Sequence, residues 1–178
     1  AVTAQTPDSR HLLGKLAVIE ARLTAAVLHR RATDPDPDDG FRGLYVSDDQ
    51  VDELLASPPR TSYADDADVT ELEHYVEQEA DAAEAALDRP LQLRRLARAF
   101  GLSPLDLEIL LVALAPDLDP RFEKVYGYLH DDVTRRRASP GLALALTGAG
   151  MLDGAARNRF ASGGPLVHHG LLVVEEPE

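Results

Sequence analysis

The chain predicts a mainly α-helical fold, and three observations carry that prediction. Apolar residues recur at three- and four-residue intervals, prolines and glycines fall where helices start and stop, and only residues 171–174 read as a strand. With 178 residues, 44% of them hydrophobic, the chain can bury a core. The expected class is therefore a helical bundle leading into a C-terminal subdomain with one short β-strand or hairpin.

Pro7, Asp8 and Ser9 open the first helix. Leu12, Leu13, Leu16, Ile19, Leu23, Ala26 and Val27 repeat along it at helical spacing as far as Arg30 and Arg31, whose charges suit the negative end of the dipole. Residues 33–43, rich in proline, aspartate and glycine, read as a loop. Ser47 with Gln50 three residues on is a capping box for a short helix through Leu55, which Pro58 and Pro59 close. Residues 65–87 form a long acidic helix with Val69, Leu72, Tyr75, Val76, Ala83 and Leu87 directed inward.

Residues 91–137 hold three helix starts and stops in close succession. Pro90 takes a first helical position, Arg94, Arg95 and Arg98 alternate with Leu93, Leu96, Ala97 and Phe100, and Gly101 ends that helix. Ser103 caps the next helix, Pro104 costs it no needed donor, and Asp106 and Glu108 place charge near its positive end. Its body, Leu107 and residues 109–114, is apolar on every side, so other helices should enclose it, and Pro116 is expected to stop it. Asp119 and Pro120 start a third helix with an apolar stripe of Phe122, Val125, Tyr126 and Leu129. Ser139 and Pro140 open a helix over 142–146 that Gly148 and Gly150 end, a weaker helix covers 151–160, and the strand follows. Several helices and then a strand fit a winged helix-turn-helix whose hairpin is incomplete. The expected division is an N-terminal helical region, 1–88, with acidic loop and helix, and a winged-helix-like domain, 89–178.

Charge is unevenly placed. Residues 34–88 hold eighteen acids against two bases and account for more than the whole net charge of −13, whereas 89–160 hold eleven bases against eight acids. Such an acidic middle repels phosphate backbones, so general nucleic-acid binding is not expected. No cysteine is present, which removes disulfides and thiolate metal sites and points to a reducing compartment. No apolar run has membrane-spanning length and no charged-then-apolar leader opens the chain, so a cytoplasmic location without membrane contact is expected.

Residues 91–176 resemble the winged-helix region in the N-terminal part of AAA+ ATPases encoded with bacterial contractile injection systems. The resemblance rests on LARAFGLSPLDLEILLVALAPDLDPRFEKVYGYLHDDVTRRRASPGLALAL and on RFASGGPLVHHGLLVVEE, while residues 1–88 carry only general likeness. It implies an accessory domain that positions the motor or recruits a client, with the ATPase module downstream. It also implies that ATP and magnesium belong to that module alone, and that partners are proteins: an injection-system component or cargo, and the motor itself. A hexamer is implied for the whole ATPase and a monomer for these residues.

The residues agree that no motor lies within the chain. No G-x-x-x-x-G-K-[ST] occurs, and residues 171–176, LLVVEE, imitate the strand and acidic pair of a nucleotide site without its phosphate-binding partner. Asp34, Asp36, Asp38 and Asp39 imitate a calcium loop, but Gly40 comes one place late and Tyr45 stands where the bidentate glutamate belongs. His168 and His169, adjacent on a strand, would face opposite sides and could not chelate together. Asp117 with Asp119, and Asp131 with Asp132, suit caps and helix starts without catalysis. No catalytic, cofactor or metal residue is therefore expected, and no enzyme activity. The candidate interaction surface comprises Arg94, Arg95, Arg98, Arg135, Arg136, Arg137, Glu71, Glu73 and Glu77. The competing reading is a DNA-binding winged-helix regulator in which the six arginines hold phosphates. Against it, the helix in the recognition position, 142–146, offers only leucine and alanine to base edges.

Overall fold

The computed structural model describes residues 5–34, 48–56, 67–149 and 153–175. Its elements are α1 (Pro7–Ala32), α2 (Asp48–Ala56), α3 (Ala67–Leu87), α4 (Gln92–Phe100), α5 (Pro104–Leu118), α6 (Arg121–His130), α7 (Pro140–Leu146), α8 (Gly154–Arg157), which runs into a 3-10 turn over Asn158–Phe160, and α9 (Pro165–His168). The expected capping box of Ser47, the prolines at 58 and 59 and most of the acidic loop lie outside the described residues.

Helix α1 is the axis of the molecule. Its Leu16, Ile19, Leu23 and Ala26 enter the main core with Leu107, Leu111 and Val112 of α5, Phe122 and Tyr126 of α6 and Leu142 and Leu146 of α7. Its other side packs on α3, where Val18 meets Val69 and Val76. Gly14 permits the close approach, since a Cβ there would lie 3.0 Å from the Val76 side chain. A second cluster joins Ile109, Leu144, Ala156 and Leu166 at the C-terminal end. The acidic helix and the C-terminal helices thus pack on different sides of α1.

The α4–α5 junction forms as its residues dictate. Gly101 takes the left-handed conformation (φ 63°) that ends α4 with little steric cost. Ser103 and Asp106 complete a reciprocal capping box at the start of α5.

Other expectations are corrected, each by a tertiary contact. Pro90 does not occupy a first helical position: Leu91 precedes α4 instead, fully buried. The Leu91 N–H donates to Glu84 of α3 at 2.7 Å and the Gln92 N–H to Asp8 of α1 at 2.8 Å, so two other helices cap α4. Pro116 does not stop α5, which continues to Leu118. A proline there leaves the Val112 carbonyl without its helical donor, and the buried Tyr126 hydroxyl fills the vacancy at 2.8 Å. Leu13, Tyr75 and Leu87, expected inward, are exposed, and Ala80 is buried on α3 in their place.

The C-terminal end departs furthest. Among the described residues no strand forms, and 172–175 have no regular structure. Leu171 and Leu172 both donate their N–H groups to the Leu166 carbonyl and pack their side chains into the second cluster, so the chain wraps the end of α9 where a hairpin was expected. A strand needs a neighbour, and none of the described residues provides one. Helix α9, begun by Pro165, was missed, and it replaces the strand on which His168 and His169 were expected to face opposite sides. The two rings touch at 5.0 Å, and His169 meets Phe100 edge-on at 5.2 Å. Of the expected helix over 151–160, residues 151 and 152 lie outside the described residues and the rest form α8 and its 3-10 turn, capped by Asp153; α7 ends at Thr147, ahead of either glycine.

Candidate interaction surface

The acids of α3 divide between two faces. On the inner face Glu77 receives Lys15 of α1 at 2.5 Å and Arg94 of α4 at 2.6 Å. Arg94 also reaches Asp81 at 2.6 Å and Glu84 at 3.1 Å, so one guanidinium spans two turns of the acidic helix. Burial disfavours the charges at both ends, but the hydrogen bonds outweigh it: the Glu77 carboxyl lies below, and the Arg94 guanidinium above, its ordinary range. Glu84 is held below its ordinary value chiefly by the Leu91 N–H.

A second ionic centre lies deeper. Arg22 of α1, buried, donates to Glu73 at 3.1 Å and to the Leu146 carbonyl at 3.4 Å, and lies 3.4 Å from Glu108 of α5. Burial raises the Glu108 carboxyl above its usual range despite Arg22, and Glu73 adds to the rise. The expected role of Glu108, charge at a helix start, is thus secondary to its place in this triad.

The structure therefore separates the nine candidate residues. Arg94, Glu73 and Glu77 hold helices together and are not free for a partner. Glu71, Arg95 and Arg98 are exposed and form no ion pair with the described residues. Of the arginine triplet, Arg137 pairs with Asp117 at 2.7 Å, Arg135 lies 3.5 Å from Asp132, and Arg136 pairs with no described residue. These two pairs are well exposed and hold the loop only weakly. His130 anchors it more firmly. Its Nδ1–H donates to the Arg135 carbonyl at 3.2 Å, which leaves Nε2 to accept from the Ser139 hydroxyl at 3.0 Å, beside the cap of α7. Arg121 pairs with Asp119 and Arg30 with Asp131, so the paired aspartates are structural. No cluster among the described residues has the composition of a metal site.

Helix α7, which the sequence reading puts in the recognition position, has every residue from Leu142 to Leu146 buried. None of these side chains can reach a base edge. A groove of about 440 Å³ lies between the start of α1 and the end of α3, with Tyr75 and Leu87 exposed along it and His11 lining it. His11 is only 5% exposed, and neither ring nitrogen has a hydrogen-bond partner. Sequence reasoning missed it, because a lone histidine on a helix face carries no motif.

No single helix among the described residues is long and apolar enough to cross a membrane. No curated protein and no solved structure matches the chain. The family model described as "winged helix domain, variant" matches residues 2–178, across both the acidic region and the C-terminal helices, and the chain belongs to that family.

Proposed function

We propose that these residues form a non-catalytic regulatory domain that binds proteins, and that it serves a AAA+ ATPase of a bacterial contractile injection system by positioning the motor or recruiting its client. The burial of α7 carries the choice of protein over DNA. A winged-helix domain that reads DNA presents that helix to the major groove, and here the helix is part of the core. The injection-system context rests on the resemblance of residues 91–176. ATP and magnesium belong, on this reading, to a module encoded downstream.

Titration of labelled duplex DNA at low and physiological salt tests the choice. We expect dissociation constants no tighter than the non-specific range, about 10⁻⁴ to 10⁻⁶ M at physiological salt, unchanged by R135A/R136A/R137A beyond simple charge loss. Tight binding to one duplex, with a steep salt dependence that the triple substitution abolishes, would overturn the reading in favour of a DNA-binding regulator. A P-loop encoded after residue 178 is the matching expectation for the motor, and its absence from the gene removes the AAA+ assignment.

A further inference from the structure

The α1/α3 groove differs from the rest of the acidic helix. Inner-face acids of α3 are taken up by Lys15, Arg22 and Arg94, whereas Glu71 and Glu79 on the outer face are exposed and pair with no described residue. Between them stands Tyr75, 58% exposed, and beyond it the small residues Ala82, Ala83 and Ala86 lead to Leu87. Small side chains let another backbone approach closely, and the two large ones give it edges. The second observation is His11. A neutral imidazole carries one donor and one acceptor, buried polar atoms are ordinarily bonded, and this ring lies in the groove wall with both nitrogens unbonded and shielded from water.

We propose that the groove is the docking site for a basic amphipathic helix of a partner protein. Its apolar row lies against Tyr75, Ala83 and Leu87, its lysines or arginines face Glu71 and Glu79, and a hydroxyl or amide side chain bonds the His11 imidazole once that ring turns outward. Arg10, on the α1 side of the groove, sets the polarity by favouring an acidic or neutral residue at that end. This identifies the partner chemistry of the protein-binding reading above and rests on it. An acidic helix would meet Glu71 and Glu79 with like charge, and a flat surface would leave His11 unsatisfied.

The test is anisotropy titration of the whole chain with a fluorescein-labelled peptide of about 18 residues, five helical turns. The peptide carries leucine at i, i+3, i+4 and i+7, lysine elsewhere and one central glutamine. A scrambled peptide of equal composition and an analogue with glutamate for lysine serve as controls. The patterned peptide is expected to bind at least about tenfold more tightly than either control, and Y75A and A86E to weaken it about tenfold or more. Both side chains are exposed, so melting temperatures should stay close to wild type, which separates lost docking from lost folding. H11L should weaken binding while raising the melting temperature. Equal affinity for the scrambled peptide, or binding that Y75A and A86E leave intact, would overturn the groove assignment while leaving the protein-binding reading standing. Sequence-specific duplex binding would remove that reading itself.

Discussion

Replacing Arg94 with alanine is the sharpest test of how the acidic helix is held. The guanidinium is largely shielded from water, and its three carboxylate partners differ in exposure: Glu84 at 18%, Glu77 at 36% and Asp81 at 71%. The Asp81 pair is solvated and contributes no more than about 0.5 kcal/mol. The partly buried bonds to Glu77 and Glu84 contribute on the order of 1 to 1.5 kcal/mol each, because both partners are charged and shielded. The loss is therefore about 3 kcal/mol, moderated because Glu77 keeps Lys15 and Glu84 keeps the Leu91 N–H. For a domain of this size that lowers the melting temperature by roughly 6–12 °C. R95A, one residue along and exposed without an ion pair among the described residues, is the built-in comparison, expected within about 0.5 kcal/mol of wild type. Thermal unfolding followed by circular dichroism at two salt concentrations measures both. If R94A costs no more than R95A, the clamp between α3 and α4 contributes nothing and the argument fails.

Two further outcomes follow from buried polar groups. Y126F should cost about 1.5–2 kcal/mol in denaturant titrations, more than an average hydroxyl, because Pro116 leaves the Val112 carbonyl no other donor; a neutral substitution would contradict this account of how α5 passes Pro116. Stability should also fall as pH drops below about 6.5. Burial depresses both His11 and His130, so the unfolded chain takes up protons there before the folded one does. Around His11 stand Glu77, Lys15, Arg94 and Glu84, and the desolvation of its ring outweighs the two carboxylates. Below about pH 4.5 the depressed Glu77, Glu84 and Asp8 add a second loss, whereas Glu108, shifted upward, takes up its proton in the folded protein above that pH and so offsets part of the first phase. H11L is expected to flatten the first phase, and an unchanged slope would show that His11 is not desolvated in the folded protein.

Local chemistry was legible wherever one segment contains both partners of an interaction. The cap of α5 by Ser103, the end of α4 at Gly101 and the start of α7 at Ser139 all fell where the sequence placed them. Each depends on residues within a few positions of each other, and the energies involved do not wait on the rest of the fold. The leucine-rich body of α5 was readable in part: Leu107, Ile109, Leu111 and Val112 are buried, as an apolar helix in water requires, but Leu114 is exposed, so other helices do not enclose α5 on every side.

Tertiary structure decided whatever needed a distant partner. Whether Pro116 ends a helix turned on Tyr126, ten residues away, and the start of α4 on Asp8, more than eighty residues away. The predicted strand lacked only a neighbour, so its leucines joined a helical cluster. The acids of α3 looked alike as sequence, and only the placement of Lys15, Arg22 and Arg94 separated structural ones from those left facing water. Composition and spacing determined where most of the helices start and that α5 contributes to the core. They could not determine which charges remain available to a partner, because that depends on which helix faces lie opposite one another once the core has formed.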